Sequence, residues 1–268
     1  MPDAHIASQG GASASSSDSR VAFLGGRREA FFGGSRVAFF GGSFDPPHRA
    51  HLAIARAAQS ALHLDTVLFA PVGAQPLKPA GSTAPFEDRV AMTRLAIAAD
   101  PAFSVSLADA PNPSGTPNYT IDTLLALKTK LPAGAALFCL MGADSFLALH
   151  KWHRGTEIPF VAPLIVASRP GQRLGELAEV LPPGLSLASE CAAQPPISPT
   201  ALETCTLRDA SGNTAPFYLL PGLHIDISAT AIRDEVHSES VRIPAGQGHH
   251  SDLPDAVFDY IAAHNLYR

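Results

Sequence analysis

The feature that most constrains the fold is the alternation of short apolar segments, rich in β-forming residues, with longer segments of helical periodicity. Strands that alternate with helices form parallel βαβ units, whose helices cover both faces of one sheet. The sequence therefore predicts an α/β fold with a Rossmann-like parallel sheet, and ligands at the carboxyl ends of its strands. The predicted strands are residues 37–41, 66–71, 103–106, 136–141 and 164–167, and the predicted helices are residues 51–62, 86–99, 119–130 and 144–149.

Two parts of the chain fall outside this alternation. Residues 1–35 begin with a Gly/Ala/Ser-rich tract, which buries too little apolar surface to order itself. An eight-residue repeat follows, and only its third copy, from Arg36, continues into a motif; we interpret the other copies as duplications of the first strand. Residues 174–221 are proline-rich and patternless. We therefore predict a disordered or duplicated extension over 1–35 and one domain over 36–268, with an insert at about 174–221 and a closing amphipathic helix.

The charge balance limits the class of partner. The 268 residues carry 19 Lys and Arg against 24 Asp and Glu, a formal charge of −5, so no general attraction to nucleic acid or anionic membrane is expected. Any phosphate site must be local. We see neither an apolar stretch long enough for a membrane span nor a secretory signal, and we expect a cytoplasmic location. The three cysteines lack CxxC spacing, so neither a disulfide framework nor a zinc cluster is predicted.

The segment GGSFDPPHRAH, residues 41–51, carries the most chemical information. Gly41 and Gly42 stand at the end of a predicted strand, where glycine lets the backbone approach a nucleotide closely. The helix that follows presents free N–H groups and the positive end of its dipole to phosphate. His48 and His51 add side-chain donors at the same helix start. Each feature alone is common in proteins without a ligand there, but the whole string predicts a phosphate site.

A second segment, ISATAIR over residues 227–233, has a compatible chemistry. Ser228 or Thr230 can cap a helix whose N-terminus faces an anion, and Arg233, one turn further, can pair with phosphate oxygens. Alone, this pattern is more often a plain helix cap with a solvated arginine. Together with the first segment it predicts a phosphate clamp.

Both segments resemble signatures of the nucleotidylyltransferase superfamily: GGSFDPPHRAH is similar to GxFDPxHxGH, with Ala50 in place of glycine, and ISATAIR is similar to ISSTxIR. The resemblance implies that His48 and His51 contact the ATP phosphates and that the loop 42–44 wraps the nucleotide. The ATP-binding residues implied in this way are Gly41, Gly42, Ser43, Phe44, His48, His51, Ser228, Thr230 and Arg233.

Two further stretches indicate the branch of the superfamily. NYTIDTL, from Asn118, and GAD with a tryptophan eight residues later resemble segments of the nicotinate-nucleotide adenylyltransferases. The resemblance implies that Trp152 stacks on a pyridine ring, that backbone near Thr120 holds a carboxylate, and that Asp144 lies near the ribose. The implied acceptor-binding residues are Tyr119, Thr120, Asp122, Gly142, Asp144 and Trp152.

Several single residues complete the resemblance. Lys78 matches a phosphate-contacting lysine of the family, so the implied catalytic set is His48, His51, Lys78 and Arg233. Arg89 matches a helix arginine, although a surface salt bridge explains it equally well. Residues 169–171 match a similar RPG after a strand. His249 and His250 could suggest a metal site, but adjacent histidines in a glycine-flanked loop are more often solvated, and we assign no protein metal site.

The resemblance thus implies transfer of the adenylyl group of ATP to nicotinate mononucleotide, with Mg²⁺ bound to ATP rather than in a protein cage. No nucleic acid polymer or membrane is expected as a partner, and the oligomeric state stays open. Three alternatives remain at this point: a cytidylyltransferase, a phosphopantetheine adenylyltransferase, and a nucleotide-binding module without catalysis.

Overall fold

A computed structural model describes residues 34–77, 81–168, 181–188, 202–220, 227–239 and 250–268. Outside the described residues lie the two earlier repeat copies up to residue 33, Lys78, residues 169–171 and His249. The strands are β1 Arg36–Gly42, β2 Thr66–Pro71, β3 Phe103–Val105, β4 Ala136–Gly142, β5 Leu164–Ala167, β6 Leu185–Leu187, β7 Glu203–Asp209 and β8 Thr214–Leu220. The α-helices are α1 Arg49–Leu62, α2 Phe86–Ile97, α3 Thr120–Lys130, α4 Ala143–Leu147, α5 Ile158–Val161, α6 Ala229–Glu239 and α7 Asp255–Ala263.

The described strands form one sheet in the order β3-β2-β1-β4-β5-β8-β7-β6. From β3 to β8 neighbouring strands run parallel, whereas β7 and β6 add antiparallel pairs at one edge. The chain leaves β1 toward β2 on one side and later places β4 on the other. The gap above the carboxyl ends of β1 and β4 is therefore a topological switch point, where open α/β sheets bind their ligands.

Alternate residues of β1 face opposite sides of the sheet, as the two-residue period of a strand requires. Ala38 and Phe40 pack in one core, with apolar residues of α1, α2, α6 and α7. Val37 and Phe39 pack in the other, with residues of α3 and α5. Both faces of the sheet are thus covered, which confirms the predicted α/β class with a Rossmann-like parallel sheet.

The prediction that residues 174–221 lack a pattern is wrong for the part that the structure describes, because β6, β7 and β8 lie there. The turn between β7 and β8 is built by Asp209, whose Oδ1 accepts the N–H groups of Ser211 at 2.9 Å and Asn213 at 2.8 Å. Gly212 supplies the positive φ of 85° that this turn needs. The strands β6 and β7 contain no proline and β8 contains only Pro216, so the proline-rich residues around these strands hide the pattern. How the chain divides into domains stays a prediction.

Smaller differences concern helix ends and one cysteine. The predicted helix 144–149 is the short α4 followed by a 3₁₀ turn at Leu149–Lys151. Cys205 is disulfide-bonded, contrary to the expectation from cysteine spacing, since spatial proximity and not spacing decides pairing. The closing helix is confirmed as α7, with Pro254 at its N-cap. Within the described residues, helices of the length and apolarity that a membrane crossing requires are absent.

Candidate functional site

The loop after β1 is shaped by Phe44, a non-glycine residue with a φ of 46°. Its ring is buried and packs against Phe40 at 5.6 Å, Phe69 at 5.5 Å and His51 at 5.0 Å between ring centroids. The aromatic contacts hold this residue in the left-handed region that few side chains adopt. Because the Phe44 side chain points into the core, only its backbone is left for the predicted contact with a nucleotide.

Two glycines at the end of β1 permit this arrangement. A Cβ atom on Gly41 would lie 2.8 Å from the Phe39 ring, and one on Gly42 would lie 3.2 Å from the Phe44 ring. The carbonyl of Gly42 accepts the N–H of Val72 at 2.9 Å, which ties the loop to the segment after β2. A side chain at Gly41 would press on the Phe39 ring, and one at Gly42 would press on the Phe44 ring that sets the loop.

Asp45 accepts most of the hydrogen bonds that hold the loop, a role that no sequence pattern indicated. Its buried carboxylate accepts the N–H of Thr83 at 2.6 Å, the N–H of Ala84 at 3.0 Å and the hydroxyl of Tyr267 at 2.8 Å. Burial, and then the charge of Asp45, raise the pKa of Tyr267 above its usual value, so the hydroxyl stays a donor. The penultimate residue of the chain is thereby bonded to the loop before α1.

His48 and His51 lie together at the start of α1, as predicted. Their rings stack with centroids 3.7 Å apart, and the His48 N–H donates to His51 Nδ1 at 3.2 Å. Since Nδ1 accepts, the ring proton of His51 lies on Nε2, which makes Nε2 a hydrogen-bond donor. Burial lowers the pKa of His48 to about 4, and burial together with His48 lowers the pKa of His51 well below its usual range.

The backbone at this helix start differs from the expectation of free N–H groups. The N–H of Arg49 donates to the carbonyl of Asp252 at 2.8 Å, and the N–H of His51 donates to the carbonyl of His48 at 3.0 Å. These two donors are therefore engaged within the protein, and the histidine side chains become the main candidates for phosphate contact. Ala50 is buried, so its methyl group exposes little surface to a ligand.

The low pKa of His48 leads to a prediction about stability. A histidine whose pKa is about 4 when folded and 6.5 when unfolded binds fewer protons in the folded state between these values. Its contribution is complete above pH 6.5 and is lost as the pH falls to 4, by up to about 3 kcal/mol. Urea unfolding should show that the free energy of unfolding falls more steeply with decreasing pH for the wild type than for His48→Gln over this range. Equal slopes, or an NMR titration of the His48 ring near 6.5, would contradict the assignment.

The second predicted segment meets the first in space. Arg233 donates from one terminal nitrogen to the carbonyl of Asp45 at 2.7 Å and from the other to Thr230 Oγ1 at 3.1 Å, across a sequence separation of 188 residues for the first bond. Ser228 Oγ is 3.5 Å from the N–H of Ala231, a weak cap of α6. The half-buried guanidinium keeps further N–H groups, so the segment can still pair with an anion beside the loop.

Arg89 has a role that neither of its two interpretations anticipated. The side chain is 2% exposed, so it is not part of a surface salt bridge. It donates to three backbone carbonyls: Ser43 at 2.7 Å, Val72 at 2.9 Å and Ala84 at 3.2 Å. Arg89 thus joins the loops after β1 and β2 to the segment before α2. Buried acceptors on three loops require a planar donor of this kind.

The predicted acceptor residues gather around the start of α3. Tyr119 is the N-cap residue of α3, and its ring lies 4.4 Å from that of His153. Asp122, in the first turn, lies 3.8 Å from Arg154. Trp152 is partly buried and packs with Tyr119 against the same core. The segment 152–154 therefore lies against the α3 start, next to Thr120.

Two other predicted acceptor residues lie at the end of the neighbouring strand. Gly142 ends β4, and a Cβ atom built there would meet none of the described atoms within 4 Å, which leaves room above the strand. Asp144 follows in α4. Since β4 pairs with β1, both lie at the carboxyl edge that also carries Gly42. The structure thus brings the two predicted sets to one edge of the sheet.

Asn118 and Asp109 connect the start of α3 to neighbouring loops by hydrogen bonds. Asn118 accepts the N–H of Ala74 at 3.1 Å, donates its own N–H to the Ala74 carbonyl at 3.0 Å, and donates from its side chain to Ala110 at 2.9 Å. Thr123 donates to the buried Asp109 carboxyl group at 2.5 Å. Burial raises the pKa of Asp109. These bonds hold the loops after β2 and β3 against the α3 start.

The interpretation of the histidine pair as solvated is wrong for His250. Its side chain is 4% exposed, and its Nε2 lies 3.0 Å from Glu235 of α6. Its Nδ1 accepts the N–H of Asp252 at 3.2 Å. Local sequence could not reveal this burial, because the covering residues come from α6 and α7.

Comparisons with known proteins agree with this architecture. A family model described as cytidylyltransferase-like matches residues 39–235. A protein of Laribacter hongkongensis is 39% identical over 227 residues, which cover 84% of this chain and 91% of that protein. A protein of Trichlorobacter lovleyi is 38% identical over 228 residues, which cover 84% and 96%. Both carry the name "Probable nicotinate-nucleotide adenylyltransferase".

A solved structure shows the same fold at lower identity. The Plasmodium falciparum nicotinic acid mononucleotide adenylyltransferase complexed with NaAD matches with a TM-score of 0.58 and 15% identity, covering 87% of this chain and 97% of that one. The fold and the matching family model define a nucleotidyltransferase of the cytidylyltransferase-like family. Within that family, the chain belongs to the nicotinate-nucleotide adenylyltransferases, as the identity and coverage of the curated relatives show.

Proposed function

We propose that this enzyme transfers the adenylyl group of ATP to nicotinate mononucleotide, giving nicotinate adenine dinucleotide and pyrophosphate. The segments 41–51 and 227–233 are called the two phosphate-type segments from here on. The observation that carries the proposal is the contact between them, in which Arg233 donates to the Asp45 carbonyl at 2.7 Å. This contact lies at the same sheet edge as the region around Trp152. ATP bound by the two phosphate-type segments and a pyridine nucleotide bound near Trp152 would meet at the switch point between β1 and β4.

In this reaction a phosphate oxygen of the mononucleotide attacks the α-phosphorus of ATP in line. The bond between the α-phosphorus and the bridging oxygen breaks, and pyrophosphate leaves with that electron pair. Alignment and charge stabilisation are the protein's main tasks in such a transfer. We assign charge stabilisation on the leaving oxygens to His48, His51, Lys78 and Arg233.

The described geometry favours hydrogen-bond donation over proton transfer for the histidines. His51 presents a protonated Nε2 while neutral, and the lowered pKa of His48 keeps that ring neutral at physiological pH as well. A neutral imidazole can donate one hydrogen bond to a phosphate oxygen from its single N–H group without first taking up a proton. The acceptor phosphate is already ionised, so the attack needs no general base.

Mg²⁺ is the divalent ion expected to accompany ATP. Within the described ranges, groups of three or more His, Cys, Asp or Glu side chains suited to a metal are absent, and the donors here suit phosphate. The donors of the proposed ATP site are therefore compatible with an ion that the ATP phosphates and water coordinate. When bound, such an ion would neutralise charge on the leaving pyrophosphate.

The acceptor pocket is proposed at the start of α3. Trp152 would stack on the pyridine ring, the backbone near Thr120 would hold the carboxylate with Tyr119 and Asp122 close by, and Gly142 and Asp144 would border the ribose. Backbone donors that face a carboxylate lose a charge-assisted partner when a neutral amide replaces it. The pocket is therefore proposed to prefer the acid.

The deciding experiment measures pyrophosphate release by the purified full chain with Mg²⁺ and ATP, with nicotinate mononucleotide and nicotinamide mononucleotide in parallel. Rapid turnover with the acid and at least about tenfold slower turnover with the amide supports the proposal. A parallel arm replaces ATP by CTP, because the matching family model also covers cytidylyltransferases. Turnover with CTP alone, or with neither acceptor, would reject it.

Replacing Trp152 tests the acceptor pocket separately. Loss of a stacked aromatic ring removes about 1 to 2 kcal/mol of contact, so Trp152→Ala should raise the KM for nicotinate mononucleotide about tenfold or more and leave the KM for ATP within about twofold. Trp152→Phe keeps a ring and should recover most of the affinity. An equal rise of both KM values would place Trp152 outside the acceptor pocket.

A further inference from the structure

His250 lies in a chain of contacts that joins the two phosphate-type segments. On one side, its Nε2 lies 3.0 Å from Glu235 Oε2 on α6. On the other side, its Nδ1 accepts the N–H of Asp252, and the carbonyl of Asp252 accepts the N–H of Arg49 at 2.8 Å. Arg49 is the first residue of α1, directly after His48. One buried ring thus connects α6 to the start of α1.

The orientation of this ring follows from its contacts. Because Nδ1 accepts a backbone N–H, the ring proton lies on Nε2, the atom that faces the Glu235 carboxylate. The ring also lies 6.4 Å from the Phe258 ring on α7, and the N–H of Leu253 donates to the His250 carbonyl at 3.2 Å. The contact with α7 and the hydrogen bonds that His250 accepts from the N–H groups of Asp252 and Leu253 leave the ring little freedom.

His250 Nε2 is buried and lies 3.0 Å from Glu235 Oε2, but it makes no hydrogen bond with any described residue. The Glu235 side chain is 60% exposed, so the pair by itself contributes little to stability. Its effect is geometric. Glu235 lies two residues after Arg233 on α6, so a restraint on Glu235 also restrains the position from which Arg233 reaches the Asp45 carbonyl.

We propose that His250 is a positioning residue for the ATP phosphate site, which holds α6 with Arg233 in register with the start of α1 and its His48–His51 pair. The inference rests on the proposed function for its kinetic readout, but not for its binding readout. Asp252 adds a second effect, since its carboxylate lies near enough to His48 to act on that ring electrostatically. Small displacements of aligned donors cost about 10- to 100-fold in rate.

The test compares His250→Phe, which fills the space but removes both nitrogens, with His250→Asn, which keeps an acceptor for the Asp252 N–H. We expect His250→Phe to lower kcat/KM for ATP about tenfold or more, with the KM for nicotinate mononucleotide within about twofold of the wild type. His250→Asn should recover part of the loss. Asp234→Asn, an exposed neighbour on α6, is the matched control and should leave both parameters unchanged.

A double-mutant cycle with Glu235→Gln tests the connection itself. If His250 acts through Glu235, the double variant should be no worse than His250→Phe alone, whereas independent contributions would add. Additive losses would overturn the proposal. So would an equal loss for both substrates, because a general structural defect moves ATP and acceptor parameters together.

Calorimetric titration with a non-hydrolysable ATP analogue separates this proposal from the proposed function. If the wild type binds the analogue but turns over neither acceptor, the function is rejected. Even then, about tenfold weaker analogue binding by His250→Phe supports the positioning role, and unchanged binding rejects it. Should His250→Phe fail to fold, His250→Asn against Glu235→Gln carries the same comparison.

Discussion

Replacement of His51 by alanine is expected to lower kcat for pyrophosphate release by about 10²- to 10³-fold, the loss typical of one preorganised donor to developing charge. His51 Nε2 carries the ring proton because Nδ1 accepts the His48 N–H, and the ring is held by contacts with Phe44, Phe40 and His48. A donor fixed in this way needs no reorganisation in the transition state. Steady-state kinetics with saturating ATP measures the effect.

The control for His51 lies at the other end of the same helix, just beyond its last residue. His63 is exposed just after α1 in a left-handed conformation that asparagine also adopts, so His63→Asn should leave kcat unchanged. His51→Gln offers a donor in a different position and should recover only part of the rate. A kcat for His51→Ala within threefold of the wild type would remove the residue from the catalytic set, and a shifted pH–rate profile would favour a general base.

Replacement of Asp45 by alanine is expected to lower the free energy of unfolding by about 3 to 5 kcal/mol. The change leaves three donors without their acceptor, the N–H groups of Thr83 and Ala84 and the hydroxyl of Tyr267. The bonds of Ala84 and Tyr267 are buried, and each donor orphaned there costs about 1 to 3 kcal/mol, whereas the N–H of the exposed Thr83 can bond to water. For a chain of this size the loss corresponds to a fall in Tm of about 10 °C. Urea unfolding followed by Trp152 fluorescence measures it.

The companion variant is Tyr267→Phe, which removes one of the three bonds. We expect a stability loss of about 1 kcal/mol or slightly more and a measurable fall in kcat, since Asp45 also presents the carbonyl that anchors Arg233. Tyr260→Phe is the matched control: it removes a bond of equal length to Asp88, away from the loop, and should leave kcat unchanged. Identical kinetics for the two variants would show that Tyr267 contributes to stability alone.

The sequence indicates a role for the two histidines but none for Asp45. The sequence predicts a phosphate role for His48, His51 and Arg233 because motif chemistry is local: a strand end, a helix start and a few donors at fixed spacing. That role stays a prediction. Asp45 stood inside the same motif without an assigned role. Its importance depends on Tyr267, 222 residues further along the chain, and a partner at that distance has no signature in a single sequence.

Arg89 and His250 show the same limit from the other direction. Both residue types are usually exposed, so sequence reasoning offered a salt bridge for one and solvation for the other. Each is buried because segments from distant parts of the chain close over it, the loops at 43, 72 and 84 for Arg89 and the helices α6 and α7 for His250. Burial of a polar side chain is decided by what surrounds it.

The sequence by itself determined the α/β class, the strands from β1 to β5, the closing helix and the family, because periodicity and motif spacing act over a few residues. Only the tertiary structure decided the strands β6 to β8 and the meeting of the segments at 41–51 and 227–233. It also decided the lowered pKa of the histidine pair and the partners of Asp45, Arg89 and His250. These properties depend on burial and long-range hydrogen bonds, which exist only once the chain has closed on itself.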